Sequence, residues 1–197
     1  KLDSIFVVDN ASSDETPNMM EKFQILHRSI NYIRLKVNNG SAGGFAHGLE
    51  IASAKDYDYV YLMDDDGRPY NNQAIKNIYN EANRLINIID SFIINSLVLR
   101  DNNNLTFGLS VGAEYNTVKR KSNKNLVLDS INPFNGTLIS KAAINKIGYP
   151  RKDFFIWGDE SEYIERARRS NVFIATVTNS LYYHPKNKEL RFYLFKL

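Results

Sequence analysis

The sequence predicts an α/β domain: a mostly parallel central sheet flanked by helices, followed by a mixed, partly antiparallel C-terminal half. Three observations carry this expectation. Between Ser4 and Met63, short β-branched and aromatic runs alternate with helix-spaced segments, the pattern that builds a parallel sheet through crossover helices. The third of those runs, Tyr59-Val60-Tyr61-Leu62-Met63, ends in Asp64-Asp65-Asp66, and ligands on such sheets gather at the carboxyl ends of strands. Beyond Ile88 the apolar runs shorten and are separated by Asn-rich turns, as in antiparallel structure.

Ser4 to Val8 reads as a strand ending in the polar turn Asp9 to Asp14. Thr16-Pro17 supplies an N-cap with proline at the first helical position, and Met20, Phe23, Ile25 and Leu26 carry the helix to about Arg28. Asn31 to Val37 is the next strand, Asn38 to Gly44 a glycine-containing turn, and Phe45 to Ala54 a short helix. Tyr57 to Met63 is the third strand, and a helix follows around Asn72 to Ile88. The spacing then predicts strands at Ser91 to Leu99, Leu105 to Val111, Thr117 to Lys121, Asn135 to Ile139 and Val172 to Val177, with helices at Ser140 to Ile147 and Glu160 to Ser170.

With 197 residues, 43% of them hydrophobic, the chain suffices for one sizeable core, and no composition shift marks a second domain. The absence of cysteine excludes disulfides and thiolate metal sites and fits a reducing compartment such as the cytoplasm. A net charge of +3 is too small to imply a nucleic-acid partner, though it tolerates a phosphate-rich substrate. No apolar run reaches membrane-span length and Lys1 does not open a signal-peptide pattern, so a soluble domain is expected.

Four segments carry candidate chemistry. The Asp triplet places like charges at one strand end, where a hard divalent cation would relieve their repulsion, although a solvated acidic turn before Gly67 explains an isolated triplet. Asp9-Asn10 closes the first strand, either as an Asx turn or as a ligand loop. Gly43-Gly44 suits either a tight turn or the approach of backbone N–H groups and a helix N-terminus to phosphate. In Trp157-Gly158-Asp159-Glu160-Ser161-Glu162-Tyr163, Asp159 and Glu162 have capping-box spacing and Glu162/Arg166 and Glu165/Arg169 are i,i+4 pairs, which leaves Glu160 with no structural duty.

These segments, Val7-Val8-Asp9-Asn10-Ala11-Ser12-Ser13-Asp14, Asn38 to Phe45, the Asp triplet and Trp157 to Tyr163, resemble in this order family-2 glycosyltransferases of the GT-A fold. Within that family the likeness is to bacterial galactofuranosyl- and rhamnosyltransferases, over nearly the whole chain. The resemblance implies transfer of a sugar from a nucleotide-diphosphate donor, with a UDP-sugar favoured, to a glycan or lipid-linked acceptor in surface polysaccharide or cell-wall synthesis. It implies Asp9 and Asn10 near the nucleotide, Gly43 and Gly44 near the diphosphate, and Asp65 near the ribose. Asp64 and Asp66 match the positions that bind a divalent cation, Mn2+ or Mg2+, and His184 in Tyr182-Tyr183-His184-Pro185 occupies the place of a third ligand. An imidazole among carboxylates suits a manganese-like ion.

The catalytic base of an inverting transfer falls by resemblance on Glu160, where the family usually has aspartate, with its neighbour Asp159 as the other choice. Trp157 is assigned to the acceptor wall or to the core. The family normally begins with a strand and helix before the Val-Asp-Asn strand, and this chain starts almost on that strand. The apolar stretch at residues 190–197 could begin a basic amphipathic helix at the inner face of a membrane, or pack into the core. Two rivals compete: a non-catalytic sugar-nucleotide or glycan binder of the same fold, and a haloacid-dehalogenase-type phosphatase, which Asp64-x-Asp66-Gly67 imitates. Arg68-Pro69 stands where that phosphatase expects a hydroxyl residue.

Overall fold

In the computed structural model, which describes residues 3–185, the chain opens with β1 (Ile5–Asp9), α1 (Thr16–Leu26) and β2 (Ile30–Arg34). The crossover through α1 makes β1 and β2 parallel, with Ile5 opposite Ile30 and Asp9 opposite Arg34. After α2 (Gly40–Ser53) the chain enters a second sheet at β3 (Tyr59–Leu62), continuing through β4 (Arg68–Pro69), α3 (Ala74–Leu85), β5 (Phe92–Leu99), β6 (Asn104–Leu109) and β7 (Gly112–Glu114). Then come α4 (Tyr115–Lys121), β8 (Leu126–Leu128), β9 (Thr137–Ser140), α5 (Lys141–Ile147), α6 (Asp159–Arg169) and β10 (Phe173–Tyr183). Residues 190–197, singled out above as apolar, lie outside the described residues.

The larger sheet has eight strands in the order β3-β9-β5-β10-β4, with β6 and β7 continuing from β5 and β8 pairing with β10. β5 and β10 are parallel, while β9 is antiparallel to both β3 and β5. β3, β5 and β10 therefore run one way, and the mixed character comes from β9 and the short strands. Because β9 takes one edge of β3, the first two strands form a sheet of their own, and α2 packs on both β1 and β3.

Strand alternation sorts the core onto two faces. On one, Ile93, Ile139 and Ile174 meet Leu49 of α2, Ile144 of α5 and Tyr163 and Ile164 of α6. On the other, Phe92, Ile94, Leu138, Ala175 and Val177 meet Ile78, Ala82 and Leu85 of α3. All eight residues of β5 are buried, as in a strand covered on both faces, and its two polar residues, Asn95 and Ser96, are hydrogen-bonded internally.

Several expectations need correction. Thr117 to Lys121 is helix α4, not strand: its β-branched pair Thr117-Val118 suggested a strand, but Val118 alone is buried and Lys119, Arg120 and Lys121 sit in the last turn, where cations favour the helix dipole. Thr16 is the first helical residue of α1 and not its cap, and Asp14 Oδ1 accepts its N–H at 3.0 Å. The glycine-rich stretch is the first turn of α2, which begins at Gly40 rather than Phe45. β10 runs to Tyr183, past an irregularity between Val177 and Leu181. α5 begins at Lys141, and Ser140, expected within the helix, is its N-cap, accepting the N–H of Ala143 at 3.2 Å.

Gly40 holds the entry to α2. Its φ is +69°, and a Cβ there would lie 1.9 Å from the backbone oxygen of Phe155. Gly40→Ala is expected to lower stability by about 2 kcal/mol or more, read as a drop in the urea midpoint. Gly108→Ala, whose added Cβ would meet nothing closer than 3.7 Å, should shift that midpoint far less; equal shifts would show that Gly40 is not constrained.

Candidate active site

The Asp triplet leaves the end of β3 and turns directly into β4, which pairs with the end of β10: Pro69 opposite Tyr182 and Arg68 opposite Tyr183. This two-residue ladder delivers His184 to the triplet. His184 Nε2 lies 3.0 Å from Asp66 Oδ1, and ligand atoms of Asp64, Asp66 and His184 all fall within 4.8 Å of one another. The imidazole is buried and fixed: its Nδ1 is 2.7 Å from the Pro185 oxygen, its ring packs 5.3 Å from that of Phe107, and its backbone N–H donates to Leu99 at 3.0 Å. A proton on Nδ1, donated to that carbonyl, leaves the Nε2 lone pair facing the carboxylates, the orientation of a metal-ligating histidine. Asp65 is exposed and stands outside the cluster.

Asp64 is pushed up to about 7, first by burial and then by the charges of Asp66, Asp65, Glu160 and Asp159. Two hard oxygens and one imidazole nitrogen at this spacing fit a divalent cation of the manganese or magnesium kind, whose charge would relieve that repulsion.

At the start of α6 the expected capping box is not formed. Gly158, at φ +91°, occupies the N-cap with no side-chain cap, so Asp159 is the first helical residue. The Glu162 N–H goes to the Gly158 oxygen at 2.9 Å, and the Glu162 carboxylate pairs with Arg166 at 2.8 Å. Glu165 and Arg169 pair at 3.0 Å, as the spacing predicted. Asp159 is fully buried, and neither of its carboxylate oxygens has a hydrogen-bond partner. Half-buried Glu160 is held above the ordinary carboxylate range, by burial first and by the Asp159 charge second.

The first strand and α2 come together at Asn10, whose Nδ2 donates to the Gly40 oxygen at 2.8 Å while its buried Oδ1 has no partner. Gly44 is needed here, since a Cβ would meet Asn10 Nδ2 at 2.8 Å, and at Gly43 one would meet Asn39 Cβ at 2.4 Å. Asp9 is engaged internally. Its Oδ1 accepts the Ser12 N–H at 2.8 Å, its Oδ2 accepts the Tyr32 hydroxyl at 2.5 Å, and Arg34 lies 3.6 Å away. Burial opposes the Asp9 charge, but Ser12, Tyr32 and Arg34 outweigh it and hold the carboxyl below its ordinary value.

The segment before α6 leans on the same helix. The Phe155 oxygen accepts the Ala42 N–H at 3.2 Å, and Phe155 and Trp157 both adopt positive φ. Trp157 is 65% exposed, so it is not a core aromatic. Deeper in, Phe45 of α2, Phe134 and Tyr163 of α6 pack in series at ring distances of 4.6 and 5.9 Å, holding α2 and α6 to one core. Sequence reasoning missed Phe155 as the brace of α2. It also missed Tyr182 beneath the triplet, although strand alternation from His184 places Tyr182 on the same face.

Comparison with known proteins gives the family and the fold. The model of glycosyl transferase family 2 matches residues 1–190. The galactofuranosyltransferase GlfT1 of Mycolicibacterium smegmatis is 30% identical over 193 residues, covering 94% of this chain and 62% of that protein. The dTDP-rhamnosyl transferase RfbG of Shigella flexneri is 37% identical over 87 residues, 41% of this chain and 30% of that protein. The chain thus spans less than two thirds of the length of these relatives. Among solved structures, GalNAc-T7 with UDP, GalNAc and Mn2+ superimposes with a TM-score of 0.63 at 13% identity, covering 93% of this chain and 38% of that one. S. aureus TarS 1-349 in complex with UDP gives 0.60 at 17% identity, covering 92% and 51%. Both show the α/β fold of GT-A glycosyltransferases, and with the family match over nearly its full length, the chain belongs to glycosyl transferase family 2.

Proposed function

We propose that this chain is the catalytic domain of a metal-dependent, inverting glycosyltransferase that moves a sugar from a UDP-sugar to a glycan or lipid-linked acceptor in bacterial surface polysaccharide synthesis. The observation that supports this most is the convergence of the Asp64, Asp66 and His184 cluster with the carboxylates of Asp159 and Glu160 in one electrostatic neighbourhood. Galactofuranose is favoured over rhamnose as the sugar because the likeness to GlfT1 extends over far more of the chain than that to RfbG. A lipid-linked acceptor would bring the domain to the inner face of a membrane as a peripheral protein. Among the described residues no helix is long and apolar enough to cross one.

In this reading Asp64, Asp66 and His184 hold a Mn2+ or Mg2+ ion, which would offset the negative charge developing on the departing nucleoside diphosphate. Asp9 and Asn10 shape the loop against the nucleotide, Asp65 reaches the ribose from its exposed position, and the first turn of α2 at Gly43 and Gly44 faces the diphosphate. Trp157 offers an exposed ring to the acceptor sugar. The acceptor hydroxyl attacks the anomeric carbon, the bond from that carbon to the diphosphate oxygen breaks, and the hydroxyl proton passes to Glu160. A carboxylate raised above its ordinary range is a better proton acceptor near neutrality than an unperturbed one. Asp159, buried and without donors, is assigned to hydrogen-bonding substrate hydroxyls rather than to capping α6.

Three measurements test the reading. Asp66→Asn should abolish Mn2+-dependent stabilisation by UDP in a thermal-shift titration while the protein remains folded; unchanged metal-dependent affinity would refute the cation site. His184→Ala should weaken Mn2+ binding by about tenfold, whereas His27→Ala and His47→Ala leave it unchanged. Equal titrations for all three would reduce His184 to a packing residue. Glu160→Gln in the full-length enzyme should lower the transfer rate by about a hundredfold or more with little change in donor affinity. Asp159→Asn replaces a buried carboxyl that no N–H or hydroxyl donor reaches, so its melting temperature should hold or rise. If Glu160→Gln stays active and Asp159→Asn loses turnover, the base is Asp159.

A further inference from the structure

Tyr182 has no role in the reading above, yet its surroundings are the most constrained of any side chain near the triplet. It is fully buried at the end of β10, on the same face as His184 because side chains two apart along a strand point the same way. Two glycines clamp its ring. A Cβ on Gly67, the residue after the triplet, would lie 2.4 Å from Cε1 and 2.5 Å from the hydroxyl oxygen, and a Cβ on Gly136 would lie 2.7 Å from Cδ2. Gly136 in turn donates its N–H to the Leu62 oxygen at the end of β3, at 3.1 Å. The ring therefore fills the space beneath the turn that carries Asp64 and Asp66.

Its hydroxyl is the anomaly. The hydroxyl is buried with no acceptor for its proton; the backbone N–H of Asp64 lies on the side of its oxygen, and Asp64 and Asp66 are within electrostatic reach. An unpaired buried hydroxyl is unfavourable, and phenylalanine would fill the same volume without that cost. The neighbouring Tyr61 hydroxyl, by contrast, reaches Ser96 Oγ at 3.4 Å. A phenol kept where phenylalanine would pack better finds its partner in another state of the site.

We propose that Tyr182 is a positioning residue for the cation site: when Asp64 and Asp66 take up a divalent ion, the Tyr182 hydroxyl donates to the Asp64 carboxylate and fixes which of its oxygens faces the ion. The inference rests on the cation reading of Asp64, Asp66 and His184. Outer hydrogen bonds of this kind orient metal-ligating carboxylates, and their loss typically weakens metal affinity by about 10–100-fold.

The test is Tyr182→Phe, with Tyr183→Phe on the opposite face of the strand as control. Mn2+ alone is titrated calorimetrically, and melting temperatures are taken with and without Mn2+. Tyr182→Phe should weaken Mn2+ binding about tenfold or more while its metal-free melting temperature is unchanged or higher, and Tyr183→Phe should bind Mn2+ as the unmodified protein does. Mn2+ affinity within about twofold of the unmodified protein would overturn the proposal. So would a lower metal-free melting temperature, which would make the hydroxyl a structural group of the empty fold. If the unmodified protein takes up no Mn2+, the cation reading itself fails and this inference with it, a result distinct from an intact site that ignores Tyr182.

Discussion

Like charges gathered at one edge of an apolar sheet are the constraint around which the molecule is organised. Burial raises the cost of ionising Asp64 most, and Asp66, Glu160 and Asp159, from two segments far apart in sequence, each add to it. A folded-state pKa of about 7 against an ordinary 3.8 means that the folded, cation-free protein holds a proton which the unfolded chain has lost. The contribution of this group to stability therefore declines as pH rises from about 4 to about 7. Something must hold the carboxylates together against that repulsion. The ladder from β4 to β10 fixes the turn of Asp64 and Asp66 through the backbone, and the burial of Tyr163 and Ile164 in the core fixes the start of α6.

The donor side and the base side of the site are joined as well. Asn10 bridges the first strand to Gly40, the Phe155 oxygen meets the next turn of the same helix, and the Phe45, Phe134 and Tyr163 rings connect α2 to α6 through the core. The two sheets share no ladder among the described residues, so α2, packed on β1 and β3, carries much of the connection between them. Small residues concentrate there because the Phe155 backbone and the side chains of Asn10 and Asn39 crowd its first turn. Gly40, Gly43 and Gly44 each stand where a Cβ would collide.

What could be read from the sequence was what local chemistry determines. The triplet after an apolar strand and the ion pairs Glu162/Arg166 and Glu165/Arg169 follow from neighbours within a few residues. The insertion of β9 between β3 and β5 could not be read that way, because its pairing depends on a partner some eighty residues away, and β4 is too short to show a period. Asp159 illustrates a different failure. The spacing Asp-x-x-Glu is compatible with a capping box, but Gly158 takes the cap with a left-handed conformation, and the aspartate is drawn into the interior one residue later. In α4, the β-branched pair favoured strand, and the packing of Val118 beneath Tyr115 and β6 and β7 decided for helix.

The irregular stretch of β10 has a consequence for how such a chain can vary. Residues 173–177 pair with 92–96 and residues 181–183 with 97–99, so 178–180 are looped out of the ladder. They are tied down by other means: Thr178 to the Asn125 oxygen, the Asn179 oxygen to Asn77, and Ser180 to Ala74 and Ser96. Residues 181–183 keep their own pairing with 97–99, so the loop decouples the facing of Tyr182 and His184 from the register of the first half of the strand. Descendants of this sequence can exchange the side chain of exposed Asn179, which is held only by its backbone oxygen, but not those of fully buried Thr178 and Ser180, whose hydroxyls bind Asn125, Ala74 and Ser96.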